Sequence, residues 1–166
     1  MPEGVRGYAS RIDIAAPPAV VWRALVDPVL LKVWYARDAH VSPQVDGRYW
    51  VLLETGVERE AHIDVFDPER RLRLLYMHPP GMPPVEDVIV DDFLLAVEDG
   101  VTALRLLGSG VPVGGPWDSY FLKLRAGWER ALARLKVASE RVVKDGMPPW
   151  PVPPPPPPPR EPLRRR

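Results

Sequence analysis

The sequence predicts an α+β fold in which a curved antiparallel sheet of about six or seven strands wraps around a long C-terminal helix. Two short helical segments follow a first strand, apolar and polar residues then alternate between Gly47 and Ser109, and a helical repeat of apolar residues begins at Trp117. The links between the predicted strands are too short for the crossovers that parallel strands need. We therefore expect antiparallel pairing throughout.

The first strand is predicted from Tyr8 to Ile14, where apolar residues alternate with charged ones. Prolines then end the strand. Two short helices follow because Asp27 can cap a helix and Pro28 is tolerated in a first helical turn. Apolar residues recur on both sides of this break at helical spacing, at Val21, Leu25, Leu30, Leu31 and Trp34.

A meander of strands is predicted next. The turn Asp67–Arg70 contains a proline, and Glu98–Gly100 is a tight hairpin signal that joins Val88–Val97 to Val101–Leu107. Alternation assigns one set of side chains to the inner face of the sheet: Tyr49, Val51, Ala61, Ile63, Val65, Leu72, Leu74 and Tyr76.

The last element is predicted to be one amphipathic helix of about 25 residues, about 37 Å long. The glycine-rich segment 108–116 is expected to be a flexible approach to it. Intervals of three and four residues place one apolar stripe on this helix, formed by Trp117, Phe121, Leu124, Trp128, Leu132 and Leu135.

Several local motifs resemble one known superfamily. They are Pro-x-x-Val-Trp-x-Ala-Leu-x-Asp-Pro from Pro18, then Trp34, Gly47, Asp67-Pro68, Arg71-Leu72, Gly100, Thr102 and Gly127-Trp128. Together they resemble the START-like or Bet v 1-like (SRPBCC) superfamily, particularly its Hsp90-ATPase-activator-homologue branch, over residues 8–139. The resemblance implies the helix-grip fold and a ligand cavity, but it implies no particular reaction.

A pocket is predicted where the start of the long helix diverges from the sheet, and such pockets are largely apolar. The alternative is that the same aromatic side chains complete a solid core. The residues predicted to bind the ligand are Trp34, Tyr49, Val51, Leu72, Leu74, Tyr76, Asp91, Phe93, Trp117, Tyr120, Phe121 and Leu124.

Asp91 has two interpretations. If Ile89 and Phe93 face inward, the Asp91 carboxylate also faces the interior, where it must be paired or protonated. If Val88 and Val90 face inward instead, Asp91 is solvated. The sequence leaves both orientations open.

The function predicted from these features is binding of a small hydrophobic or amphipathic molecule, without catalysis. One alternative, which the resemblance implies, is a cavity enzyme of the polyketide cyclase or dehydratase type, with Asp91, His78, Tyr76 or Arg105 as candidates. Another is a stress-related or chaperone-associated interaction module. Because the three histidines are isolated and the chain has no cysteine, we expect no metal site and no cofactor.

Length and composition favour one domain over residues 1–145, followed by a tail over 146–166. The 22 basic and 22 acidic residues become 18 and 21 when the four arginines and one glutamate of the tail are removed. This mildly acidic domain is unlike a nucleic-acid-binding one. With neither an apolar run long enough to span a bilayer nor an export signal, we expect a cytoplasmic protein.

The tail contains seven consecutive prolines, Pro153–Pro159, which favour an extended polyproline II conformation. One hypothesis is a protein partner with an aromatic-lined groove that binds this segment. The alternative is a disordered extension whose terminal arginines aid solubility. The sequence predicts no oligomeric state.

Overall fold

The computed structural model describes residues 4–85 and 87–146. Strand β1 (Val5–Ile14) precedes helices α1 (Pro18–Val26) and α2 (Pro28–Trp34), and α3 (Pro116–Asp145) is the last element. Between them lie β2 (Asp38–Val41), β3 (Arg48–Leu52), β4 (Glu58–Asp67), β5 (Arg71–Tyr76), β6 (Val90–Glu98) and β7 (Val101–Pro112). This confirms the predicted α+β helix-grip architecture with two short helices after the first strand.

The strands form one seven-stranded sheet in the order β1-β7-β6-β5-β4-β3-β2. Each neighbouring pair is antiparallel, as predicted. Chain neighbours pair along the whole meander from β2 to β7, and β1 then pairs with β7. The helices α1 and α2 therefore carry the chain from one edge of the sheet to the other.

Asp27 produces the break between α1 and α2. Its backbone N–H donates to the carbonyl oxygen of Arg23, 2.8 Å away, and ends α1. Its carboxylate accepts from the backbone N–H of Val29 at 2.9 Å and caps α2. The Arg23 Nε donates to the same buried carboxylate at 3.0 Å. One side chain thus caps a helix and has its charge paired.

Helix α3 is longer than predicted, at 30 residues. Its buried side chains include Trp117, Trp128, Leu132 and Leu135, which belong to the predicted stripe. The main core lies between the inner face of the sheet, α1, α2 and the second half of α3. A smaller cluster of Ile89, Val111 and Trp117 lies at the start of α3.

Two local features differ from the sequence prediction. Strand β2 was not predicted, because its alternation of polar and apolar side chains extends over only four residues, at the lower limit of a strand signal. Strand β7 continues to Pro112, so residues 108–112 are not the flexible approach that glycine suggested. Pairing of Tyr8 with Gly108 extends the ladder there, since ladder hydrogen bonds use the backbone and need no side chain.

Across 4–85 and 87–146, none of the helices combines the length and apolarity needed to cross a bilayer. The predicted tail over 146–166 lies outside the described residues, except for Gly146.

Candidate functional site

Asp91 lies on the inner face of the sheet with a solvent-exposed fraction of 0%. Phe93 and Leu95 of the same strand are buried, as is Ile89 just before it, whereas Val88 and Ala96 of the alternative set are exposed. The structure therefore selects the first of the two orientations. A carboxylate is placed where it must find partners within the protein.

Two side chains from other strands donate hydrogen bonds to the Asp91 carboxylate. The Tyr8 hydroxyl donates to its Oδ1. The Arg59 Nη2 donates to its Oδ2 at 3.3 Å, while the Arg59 Nη1 donates to the Tyr35 hydroxyl at 2.9 Å. The network therefore runs from Tyr8 through Asp91 and Arg59 to Tyr35.

Gly108 makes the contact between Tyr8 and Asp91 geometrically feasible. The β7 residue Gly108 pairs with Tyr8 on one side and with Asp91 on the other. A Cβ at position 108 would lie 2.1 Å from the Cζ of the Tyr8 ring, far inside contact distance. The ring therefore passes over β7 only because residue 108 has no side chain.

Aromatic rings fix the position of Arg59, whose exposed fraction is 8%. Its guanidinium carbon lies 4.0 Å from the centroid of the Tyr76 ring and 5.6 Å from that of Trp128. Trp128 in turn stacks on Tyr35, with centroids 4.9 Å apart, and meets Phe93 edge-on at 5.6 Å. The cation–π contacts of Arg59 with Tyr76 and Trp128 supplement its ion pair with Asp91.

Burial raises the pKa of every tyrosine in the chain, Tyr8, Tyr35, Tyr49, Tyr76 and Tyr120. The negative charge of Asp91 raises the Tyr8 pKa further. For Arg59, burial disfavours the charge, but Tyr35, Tyr76 and Asp91 outweigh this and raise its pKa. At neutral pH the tyrosines are therefore neutral and Arg59 is charged.

A cavity of about 290 Å³ lies between the middle of α3 and the hairpin that joins β3 to β4. Its size is close to the lower end of the range of about 300–1,000 Å³ that is typical of small-molecule sites. The apolar part of its wall consists of Tyr35, Leu53, Leu124, Gly127, Trp128 and Ala131.

The remaining lining residues are polar, and most of them are basic: Glu54, Thr55, Arg59, Lys123, Arg130 and Arg134. The Arg134 Nε donates to the carbonyl oxygen of Trp34 at 2.9 Å. Within residues 4–85 and 87–146, the side chains of Lys123 and Arg130 have neither a hydrogen bond nor an ion pair. The cavity therefore has an apolar interior and a cationic border.

Trp128 contributes one further polar group. Its side chain is 3% exposed, and its indole Nε1 is buried without a hydrogen-bond partner in the described part of the chain. Most buried polar groups in proteins are hydrogen-bonded, so an exception requires an explanation. An indole N–H can only donate, so its partner must be an acceptor.

Gly127 borders the cavity without filling it. A Cβ built at this position meets no atom within 4 Å, so close packing does not require the glycine. A glycine inside a helix is about 1 kcal/mol less favourable than alanine. At Gly127 the helix therefore has a lower helix propensity, and the space beside it is open.

The twelve residues predicted to bind the ligand do not lie together at one site in the structure. Leu124 borders the cavity. Tyr76 and Phe121 pack against both hydrophobic clusters, as Leu124 also does, and Tyr120 packs against the smaller one. Trp117 is buried in the smaller cluster, and Asp91 lies in the polar network. The others are buried in the main core: Trp34, Tyr49, Val51, Leu72, Leu74 and Phe93.

Sequence reasoning placed the pocket at the start of the helix, whereas this cavity extends from Lys123 to Arg134. It also omitted Arg59 and Tyr35. A signal for Arg59 was present, because it has the same strand parity as the inward residues Ala61 and Ile63. No comparable pattern identified Tyr35.

The other candidates for acid–base chemistry lie elsewhere. His78 is exposed, and its Nε2 lies 2.7 Å from the carbonyl oxygen of Met82. Arg105 is exposed on the outer face of the sheet. Over the described ranges there is no group of three or more histidine, cysteine or acidic residues that could hold a metal ion.

Solved structures with the same fold support this description. Protein MLL2253 from Mesorhizobium loti is 23% identical with a TM-score of 0.71, and the match covers 82% of this chain and 98% of that one. The Aha1 dimer from Colwellia psychrerythraea is 20% identical with a TM-score of 0.71, over 81% and 96%. DynU16, a protein in the dynemicin biosynthetic locus, is 22% identical with a TM-score of 0.63, over 86% and 48%.

Among curated proteins, no sequence match to this chain was found. One family pattern, described as "Activator of Hsp90 ATPase homolog 1-like protein", matches residues 15–140. Since this match spans well over half of the 166 residues, the chain belongs to the activator of Hsp90 ATPase homolog 1-like family.

Proposed function

We propose that this protein binds a small hydrophobic or amphipathic molecule in the cavity between α3 and the β3–β4 hairpin. The observation that carries the proposal is the open space beside Gly127, where the helix lacks a side chain that packing would accommodate. Apolar side chains from α3 and the hairpin supply the surface that a ligand would cover. Membership of a family with this cavity-forming fold supports the same function.

A neutral fluorescent probe, N-phenyl-1-naphthylamine, tests the proposal. The wild-type protein is expected to bind it and to enhance its fluorescence. Gly127→Phe fills the cavity and is expected to lower the affinity at least about tenfold, because the ring occupies the ligand's space. Ala133→Phe, on an exposed position of the same helix, is the matched control and should bind normally.

Native mass spectrometry of the purified protein provides the second measurement. A ligand that co-purifies with the wild type and with Ala133→Phe, but is absent from Gly127→Phe, supports binding in this cavity. Equal probe affinity in all three proteins would contradict it.

A cavity enzyme is the second candidate, because the hydrogen-bonded network joins the buried Asp91 to Tyr35 at the cavity wall. Neutral tyrosines in such positions can act as general acids. The fold shared with DynU16, from a biosynthetic locus, is compatible with this candidate. A bound ligand whose mass changes on incubation with the wild type, but not with Tyr35→Phe, would favour catalysis over binding alone.

A further inference from the structure

One side of α3 carries a row of basic residues beside the cavity. Lys123, Gly127, Arg130 and Arg134 are spaced by four, three and four residues, which places them along one line of a helix. Each of them borders the cavity. The apolar cavity residues Leu124, Trp128 and Ala131 follow each of the first three by one position. The cationic row is therefore parallel to the apolar wall.

Two other basic residues of α3 have acidic partners one turn away. Lys136 lies 2.8 Å from Glu140, and Arg125 lies 4.0 Å from Glu129. Lys123 and Arg130, in contrast, have no ion pair within the described ranges. Two charges of the helix that have no ion pair within the described residues are thus next to the cavity.

The opposite wall does not balance these charges. Among the residues that line the cavity, Glu54 is the single acidic one, compared with four basic ones. Arg59 forms an ion pair with Asp91, which lies behind the wall. Lys123 and Arg130 have no counterion among the residues described. A cleft lined by one sign of charge concentrates ligands of the opposite sign.

The Trp128 ring belongs to the apolar part of the cavity wall. Its indole N–H is itself buried, so the ring presents an aromatic surface to the cavity and not a hydrogen-bond donor. A ligand with an apolar ring system would pack against this surface.

We propose that the cavity selects an amphipathic anion: an apolar ring system that packs against the wall formed by α3 and bears an acidic group held by Lys123 and Arg130. The inference rests on the proposed binding function and specifies its ligand class. A carboxylate or a sulfonate would both meet the requirement, because the cationic row recognises charge and hydrogen-bond acceptors.

Two probes with the same aromatic skeleton test this inference. N-phenyl-1-naphthylamine is neutral, and 8-anilinonaphthalene-1-sulfonate carries one sulfonate. The wild type is expected to bind the sulfonate about fivefold to tenfold more tightly than the neutral probe at low ionic strength. Lys123→Gln with Arg130→Gln should remove this preference and leave the neutral probe within about twofold.

Arg125→Gln with Lys144→Gln is the matched control, because it removes the same charge from the same helix at residues that do not line the cavity. This control should keep the preference for the sulfonate. Gly127→Phe should abolish binding of both probes, and thermal unfolding checks that every variant is folded.

The possible results distinguish failure of the anion inference from failure of the proposed binding function. Equal affinity for the two probes, or equal loss in the two double variants, overturns the anion inference and leaves the binding proposal intact. Failure of both probes to bind the folded wild type, or binding that survives Gly127→Phe, overturns the proposed function and the inference with it.

Discussion

At the scale of single residues, Asp91 and its partners define the interior. Removing one member of a buried ion pair leaves an uncompensated charge, which typically costs about 3–5 kcal/mol. The Arg59 charge and the Tyr8 hydroxyl therefore stabilise the fold as well as shaping the site. Both come from strands distant from Asp91 in the sequence, which is why their meeting could not be predicted from alternation alone.

Replacing Tyr8 by phenylalanine should destabilise the protein. The change removes the hydroxyl that donates to the Asp91 carboxylate and keeps the ring. Hydrogen bonds to charged groups contribute about 1.5–3 kcal/mol, so the free energy of unfolding should fall by that amount. Urea denaturation measures it. A loss below about 0.5 kcal/mol would show that the hydroxyl does not satisfy the carboxylate.

Gly108→Ala tests the passage of the Tyr8 ring over β7. The new methyl group would lie 2.1 Å from the ring, so the ring must move, at a cost of about 1–3 kcal/mol. In a Tyr8→Ala background the same substitution should cost much less. Additive costs in this double-mutant cycle, measured by denaturation, would contradict the contact.

At the scale of elements, the spacing of apolar residues predicted the features that depend on local sequence. The apolar stripe of α3 has the period of a helix, and Asp27-Pro28 marks the end of one helix and the start of another. The orientation of Asp91 remained open because apolar residues occupy both faces of β6. Pairing with Leu74 on β5 decides it, and pairing is a tertiary property.

The position of the cavity could not be read from the elements. It depends on the distance between α3 and the β3–β4 hairpin, which no periodicity encodes. At the start of the helix, Trp117 packs against Ile89 and Val111 instead. Gly127 was noted in the sequence as a family feature, but its role as the source of open space required coordinates.

Gly127→Ala should stabilise the protein. Helix propensity favours alanine by about 1 kcal/mol, and the added methyl group meets no atom within 4 Å. Thermal unfolding should show a higher Tm, while a methyl group leaves most of the cavity for a probe. A lower Tm would mean that the glycine is needed for packing and would weaken the argument that it is retained for a ligand.

At the scale of the whole molecule, the five tyrosines couple stability to alkaline pH. Burial raises the pKa of each one in the folded state above the value of about 10 expected in the unfolded chain. The folded state then binds more protons than the unfolded state above pH 10. Their stabilisation is complete below about pH 10 and is lost as the pH rises further.

Tyrosinate absorbance at 295 nm tests this coupling. The folded protein should show no titration near pH 10, and tyrosinate should form together with unfolding at higher pH. The free energy of unfolding should fall by up to about 1.4 kcal/mol per pH unit for each tyrosine. Titration of several tyrosines near pH 10 in a protein that keeps its circular dichroism would contradict the raised pKa values.

The location of the ligand is the central claim, and NMR of the six tryptophan indole N–H groups measures it most directly. On titration with N-phenyl-1-naphthylamine, the account predicts that the Trp128 indole and the Gly127 amide signals shift most, because both residues line the cavity. The Trp117 indole signal at the start of α3 should change little. The largest shifts at Trp117, or none at Trp128 while the probe is bound, would contradict the account.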